Sequence, residues 1–227
     1  MEESLQEFLL DEVTAYRAMV KEAGYRPPIW VLPPPSCDLL KKLCRRFSSA
    51  PLAFEFGSGR STAALRSVCR GVTSVEDSPE WLQKTEELSG QVKKRDTDLT
   101  AVVPLSRCLI KLVPYRSFSL KKRPGLLERL AAADLILVDS PPNPATREHA
   151  LVTALRHAKV GALIVLDDLD VDATFRFAHR LARDNPAVVD FLTVQIDHIL
   201  GVFQKTAMGK IAYRPSLREI AGAWCRR

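Results

Sequence analysis

Few of the 227 residues can serve as structural staples. The chain has five cysteines, Cys37, Cys44, Cys69, Cys108 and Cys225, an odd number with no CxxC pair. That usage excludes a disulfide framework or a zinc site built from cysteine pairs and predicts reduced thiols, as in a cytoplasmic protein. Glycine is sparse, at 10 residues, which excludes collagenous and Gly-rich linker classes. No apolar run approaches the roughly 20 residues of a membrane helix. The first residues, Met1 to Asp11, are acidic where a signal peptide would begin basic. The expectation is a cytoplasmic chain without a membrane partner.

With 46% hydrophobic and 26% charged residues, a sizeable core is within reach. The formal charge is +6, and its distribution is uneven. Between Lys93 and Arg129 lie ten basic and three acidic residues, a local surplus of +7. It reads either as a solvated basic face or as a surface for an anionic partner.

Apolar spacing divides the chain. Leu5, Phe8, Leu9, Val13, Tyr16 and Met19 recur at helical intervals over residues 2–23. After a Pro-rich stretch, Ser36 sits where an N-cap belongs, ahead of a helix carrying Leu39, Leu40, Leu43 and Phe47. Residues 1–50 thus read as a helical cap or a dimer arm, and 51–227 as one α/β domain. In that domain short apolar runs alternate with helical stretches: 52–56, 72–75, 100–103, 135–138 and 162–166. Such alternation predicts a mostly parallel sheet with both faces covered. Ser78 and Pro79 form a cap and first-position pair for one helix. Residues 188–196 and 199–203 are separated only by Asp197 and His198, so they must pair antiparallel.

Ligands of open α/β sheets bind at the carboxyl ends of the strands. The first strand ends in Glu55-Phe56-Gly57-Ser58-Gly59-Arg60-Ser61-Thr62, a turn that lets a ligand approach the backbone closely. Thr62 stands where a dinucleotide fingerprint would have its third glycine, which argues against a dinucleotide. Glu76 ends the second strand 17 residues after Gly59, near the spacing at which an acid bonds a ribose hydroxyl; alternatively it is a solvated strand-end acid.

These residues resemble a family. Glu55-Phe-Gly-Ser-Gly-Arg-Ser-Thr62 and Ser74-Val-Glu76-Asp-Ser-Pro-Glu-Trp81 look like the first two motifs of class I S-adenosylmethionine (SAM)-dependent methyltransferases of the E-x-G-S-G-x-S-T / S-V-E subgroup. Leu135-Ile-Leu-Val-Asp139-Ser-Pro-Pro142, Arg147, and Gly161-Ala-Leu-Ile-Val-Leu-Asp167-Asp168 extend the resemblance over about Pro51 to Lys205. Ser140 departs from the glycine that this subgroup usually carries.

The resemblance implies a Rossmann-like methyltransferase fold, a seven-stranded mostly parallel sheet with an antiparallel last strand, and SAM as cofactor. Gly57, Ser58 and Gly59 would lie under the methionine part of SAM, Glu55 would orient its amino end, and Ser61 and Thr62 would flank its carboxylate. Glu76 would hold the ribose, while Asp77 and Ser106 would meet the adenine. Asp139 and Asp168 are candidate catalytic acids near the transferred methyl, with His149 the first histidine to consider as a base. Asp139, Asp167 and Asp168 could together hold Mg²⁺, as acids do in catechol-type enzymes. The competing readings are that Asp168 or Asp170 caps the following helix and that Asp139 bonds its own loop.

A small or medium-sized acceptor with an O- or N-nucleophile is the leading expectation. A binding or scaffold protein without turnover and a nucleic-acid methyltransferase using residues 93–129 are the alternatives, although no Asn- or Asp-Pro-Pro-Tyr motif is present. A homodimer is also possible.

Overall fold

All five apolar runs become parallel strands in a computed structural model, which describes residues 4–10, 32, 34–89, 94–110, 113–140, 144–196 and 198–213. Strands β1 (Leu52–Phe56), β2 (Gly71–Glu76) and β3 (Leu99–Val102) are separated by helices α1 (Pro34–Cys44, before β1), α2 (Arg60–Val68) and α3 (Pro79–Ser89). There follow an antiparallel pair, β4 (Leu105–Ile110) and β5 (Val113–Phe118), a short 3-10 turn (Leu120–Lys122), α4 (Pro124–Ala132) and β6 (Leu135–Val138). The chain continues through α5 (Pro144–His157), β7 (Leu163–Leu166), α6 (Asp172–Arg183), β8 (Val189–Gln195) and β9 (Ile199–Lys205).

Seven strands form one sheet in the order β3-β2-β1-β6-β7-β9-β8, and β9 runs antiparallel to both neighbours. This is the Rossmann-like methyltransferase architecture the motifs led us to expect. Strand order reverses between β1 and β6, so the crevice of the fold opens at the ends of those two strands, beside Gly57 and Asp139.

Each inner strand alternates its side chains between two cores, as a pleated strand must. Phe54 and Phe56 of β1, Ile136 and Val138 of β6, and Ile164 and Leu166 of β7 face a core shared with α4, α5 and α6. Ala53, Leu135, Leu137, Leu163 and Val165 face the other core, with α1 and α2. Glu55 shares the second face, and this turns its carboxylate toward the start of α2.

Two features depart from the sequence reading. Helix α1 begins at Pro34, so Ser36 is a buried first-turn residue and not a cap; proline is well accepted there. After β3, Leu105 and Ser106 open a two-stranded sheet absent from the sequence reading, which pairs Ser106 with Ser117. The predicted Ser78 cap holds, its Oγ accepting from the Trp81 N–H at 3.1 Å. Of the N-terminal helix over 2–23, residues 5–10 are helical, with Leu9 buried in the second core; the remainder lies outside the described residues. Among the described residues no helix is long and apolar enough to cross a membrane.

Candidate functional site

The glycine turn after β1 is shaped by two glutamates and a serine. Gly57 has φ +100, and a Cβ placed there would come within 2.7 Å of Ser140 Cβ. Both its backbone conformation and the approach of the β6 turn therefore require glycine. Its N–H donates to Val75 O at 2.8 Å and the Ser140 N–H donates to Phe56 O at 2.8 Å, so the β1 and β6 turns are laced together. Ser140, in place of the subgroup's glycine, is accommodated because residue 57 has no side chain.

Glu55 is 0% exposed. Its carboxylate accepts from Ser74 Oγ at 2.5 Å, Thr62 Oγ1 at 2.5 Å and Ser61 Oγ at 3.0 Å. Thr62 Oγ1 in turn accepts from the Gly59 N–H at 2.9 Å. Burial pushes the Glu55 carboxyl up to about 7, against the lowering effect of its three hydroxyl partners. Ser61 and Thr62, expected beside a ligand carboxylate, thus direct their hydroxyls inward to Glu55. The acid's structural role is to hold the first turn of α2 and, through Thr62, the glycine turn.

Glu76 is 4% exposed and has four donors. Its Oε2 accepts from Ser58 N at 3.0 Å and Ser58 Oγ at 3.1 Å, and its Oε1 from Asp77 N at 2.9 Å and Ser78 N at 3.0 Å. Four donors match the roughly four lone-pair sites of a carboxylate. Burial again raises its pKa despite these bonds. Ser58 Oγ also lies 3.1 Å from Thr85 Oγ1, a second partner that the sequence reading missed, and Trp81 Nε1 donates to Ser58 O at 2.5 Å. Glu76 is therefore no solvated strand-end acid. Asp77 follows it, half-buried, on the same rim, and Ser106 lies on β4, opposite Ser117.

Across the crevice, Asp139 ends β6 and Asp167 and Asp168 follow β7, its neighbour. They do not assemble as a metal site. Among the described residues no group of three His, Cys, Asp or Glu side chains has the geometry to hold a metal ion. The physical reason is Arg147, in the first half of α5 and 4% exposed. Its Nη1 donates to Asp168 Oδ2 and, at 3.4 Å, to Asp167 O; its Nη2 donates to Asp139 O at 2.5 Å and lies 3.7 Å from Asp139 Oδ1. Asp168 reaches the guanidinium from φ 56, unusual for a residue with a side chain. It does not cap α6, and neither does Asp170: Val171 occupies that position, with no side-chain cap.

Asp167 accepts from His198 Nε2 at 2.5 Å. Its carboxyl is held below the usual range: burial opposes this, but the bonds from His198 and Asp139 outweigh it. Asp139, half-buried and so partly desolvated, and facing two other acids, is raised well above the usual range. The two neighbouring acids are thus shifted in opposite directions, Asp139 up and Asp167 down. Ser36 of α1 is 3.5 Å from His198 Nδ1, so the N-terminal segment reaches this site.

His149, expected near Asp139, turns outward instead. Its Nδ1 lies 2.6 Å from Ser117 Oγ on β5 and 3.5 Å from Thr153 Oγ1. Burial, with Arg156 and Lys121 adding to the effect, pushes its pKa down to about 4, so it is neutral at neutral pH. The histidine that does reach the acids is His198. Its signal in the sequence was its place in the turn before β9, which pairs with β7.

Two arginines of the basic stretch are tied to the sheet. Arg95 Nη1 donates to Arg66 O and Cys69 O, and Arg129 Nη1 to Thr73 Oγ1 and Thr97 O, so both help close the edge of the sheet. Lys121, Lys122 and Arg123 remain exposed, and the side chains of Arg107, Lys111 and Arg116 lie outside the described residues.

No family model and no curated protein matches the chain. Solved structures do. The O-methyltransferase TomG from Streptomyces achromogenes, involved in tomaymycin synthesis and seen in complex with SAM, superposes with a TM-score of 0.58 at 17% identity over 91% of this chain and 92% of its own. SAH-bound methyltransferase PaMTH1 from Podospora anserina gives 0.56 at 15% identity, over 88% of each chain. An O-methyltransferase from Bacillus cereus in complex with SAH gives 0.53 at 16% identity, over 87% and 90%. The chain has the Rossmann-like methyltransferase fold. At these identities the likeness establishes that fold alone.

Proposed function

We propose that the protein is a SAM-dependent methyltransferase acting on an oxygen or nitrogen nucleophile of a small or medium-sized acceptor. One observation carries the reading: the glycine turn and the acid 17 residues after it are joined at the switch point, Ser58 donating by both N–H and O–H to Glu76. Topology places this pair where such folds bind their ligand. The residues fit an adenosyl group. Gly57 and Gly59 put no side chain over the strand end, and Ser58 Oγ has Thr85 as an alternative partner at 3.1 Å. A ribose hydroxyl can then take the place of Ser58 Oγ on Glu76 without leaving that serine unpaired.

SAM supplies a methyl group on a sulfonium, which an acceptor attacks in line. The chain's part is to align the two and manage the acceptor's proton. Asp139 and Asp167 are the acids beside the crevice, Arg147 fixes the Asp139 backbone and the Asp168 carboxylate, and His198 fixes Asp167. His149 is left out of this set by its bond to the hairpin.

Titration calorimetry of the full chain with SAM and S-adenosylhomocysteine tests the reading. Micromolar binding is expected, weakened by roughly a hundredfold in Glu76→Ala, since hydrogen bonds to a charged group are each worth about 1.5–3 kcal/mol. A folded wild-type protein that binds neither compound would sink it. A nucleic-acid acceptor is favoured only by the exposure of Lys121, Lys122 and Arg123. For that reading, charge reversal of all three would abolish retention of RNA and flatten its salt dependence.

A further inference from the structure

The three strand-end acids have the composition of a divalent-cation site, yet a cation of the chain's own already stands among them. We propose that the Arg147 guanidinium is the resident cation of the Asp139, Asp167 and Asp168 cluster, and that it keeps divalent metal out of the acceptor side of the crevice.

Three features support this. First, the guanidinium is placed as a bridge, one terminal nitrogen on the β7 turn through Asp168 Oδ2 and Asp167 O, the other on the β6 turn through Asp139 O. A bridging metal would have to span the same two turns. Second, Arg147 cannot leave cheaply. Its own side chain is 5% exposed and bonded to both turns, so it cannot withdraw without breaking those bonds around a buried charge. Third, the acids are oriented for the guanidinium and not for a common centre. Asp168 adopts φ 56 to meet Nη1, while Asp167 turns Oδ1 to His198. Magnesium demands near-octahedral oxygen ligation at about 2.0–2.1 Å, with several waters retained. Carboxylates already engaged by a planar fork, by His198 and by one another do not provide it.

The consequence for chemistry is specific. A guanidinium offers a single positive charge and directed N–H donors but no exchangeable coordination position. It can orient an acceptor oxygen or an acid beside it; it cannot act as a Lewis acid that binds the acceptor directly. The inference rests on the methyl-transfer reading only in naming this the acceptor side.

Manganese uptake by the full chain, followed by the loss of the free-ion electron paramagnetic resonance signal, tests it. The wild type and Arg147→Lys are expected to take up no Mn²⁺ at millimolar concentration. Arg147→Ala is expected to bind one ion per chain, and Asp139→Asn in that background to lose it again. Should Arg147→Ala fail to fold, Arg147→Gln, which keeps amide donors but no charge, takes its place with the same expectation. Uptake by the wild type that Asp139→Asn abolishes would overturn the proposal, as would a folded Arg147→Ala or Arg147→Gln that takes up none. S-adenosylhomocysteine is titrated into the same samples with and without chelator. Loss of that binding alone would count against the methyltransferase reading and leave the manganese result standing.

Discussion

The two sides of the crevice hold buried carboxylates in opposite ways. On the β1–β2 side, Glu55 and Glu76 are surrounded by neutral donors, seven hydroxyl and backbone groups between them. On the β6–β7 side, Asp139, Asp167 and Asp168 are met by Arg147 and His198. Neutral donors shape a loop but do not cancel charge, so burial raises both glutamates. Partners that carry or can carry charge lower Asp167, although one guanidinium among three acids leaves Asp139 raised. The first side is thus suited to presenting acceptors of hydrogen bonds to a sugar, the second to holding charge and a proton.

The largest test of this contrast is Arg147→Ala. Breaking a buried ion pair from one end typically costs 3–5 kcal/mol. Because Asp168 is 43% exposed and screened, about 3 kcal/mol is expected here, with urea unfolding as the measure. A loss below about 1 kcal/mol would show that the acids do not depend on the guanidinium.

Glu55→Gln probes the other side. A carboxyl raised to about 7 in the folded state contributes stability that is complete below its unfolded value and lost as pH rises through 7. The wild type should therefore shed roughly 3 kcal/mol between about pH 4.5 and 8 through this group. In the glutamine variant that decline should be absent. Parallel stability curves for the two proteins would contradict the neutral-donor account.

Gly57→Ala tests how the sides are joined. Positive φ and the 2.7 Å approach to Ser140 together should cost about 2 kcal/mol. Adding Ser140→Gly should recover only the steric part, because the backbone strain stays. Smallest of all is charge reversal at Lys121, Lys122 and Arg123. These exposed residues lie outside both sets, so stability should move by about 0.5 kcal/mol or less, with S-adenosylhomocysteine affinity unchanged.

Much of the β1–β2 side was readable in the chain itself. The Glu55 to Thr62 turn and Glu76 are local motifs at strand ends, and strand ends are marked by the apolar runs that precede them. What was not readable there was direction: alternation in β1 turns Glu55 under the loop, and only the packing of α2 shows Ser61 and Thr62 facing inward. The β6–β7 side was less legible. His149 lay nearest Asp139 along the chain, but its side chain leaves toward Ser117. The hairpin carrying Ser117 was itself missed, since Pro114 and the adjoining charges obscure any strand alternation. His198 lies 31 residues beyond Asp167 and meets it because β9 returns antiparallel against β7.

By itself, then, the sequence determined a mostly parallel sheet closed by an antiparallel pair, and the residues that stand at the strand ends. Those follow from short-range periodicity, turn chemistry and spacing. Which acid meets which partner was decided only by tertiary structure. Carboxylates 28 residues apart, Asp139 and Asp167, come side by side because β6 and β7 are neighbours, and Arg147 stands between their turns because α5 packs across those strands. Charge pairing acts over a few ångströms in space, and no spacing along a chain encodes it.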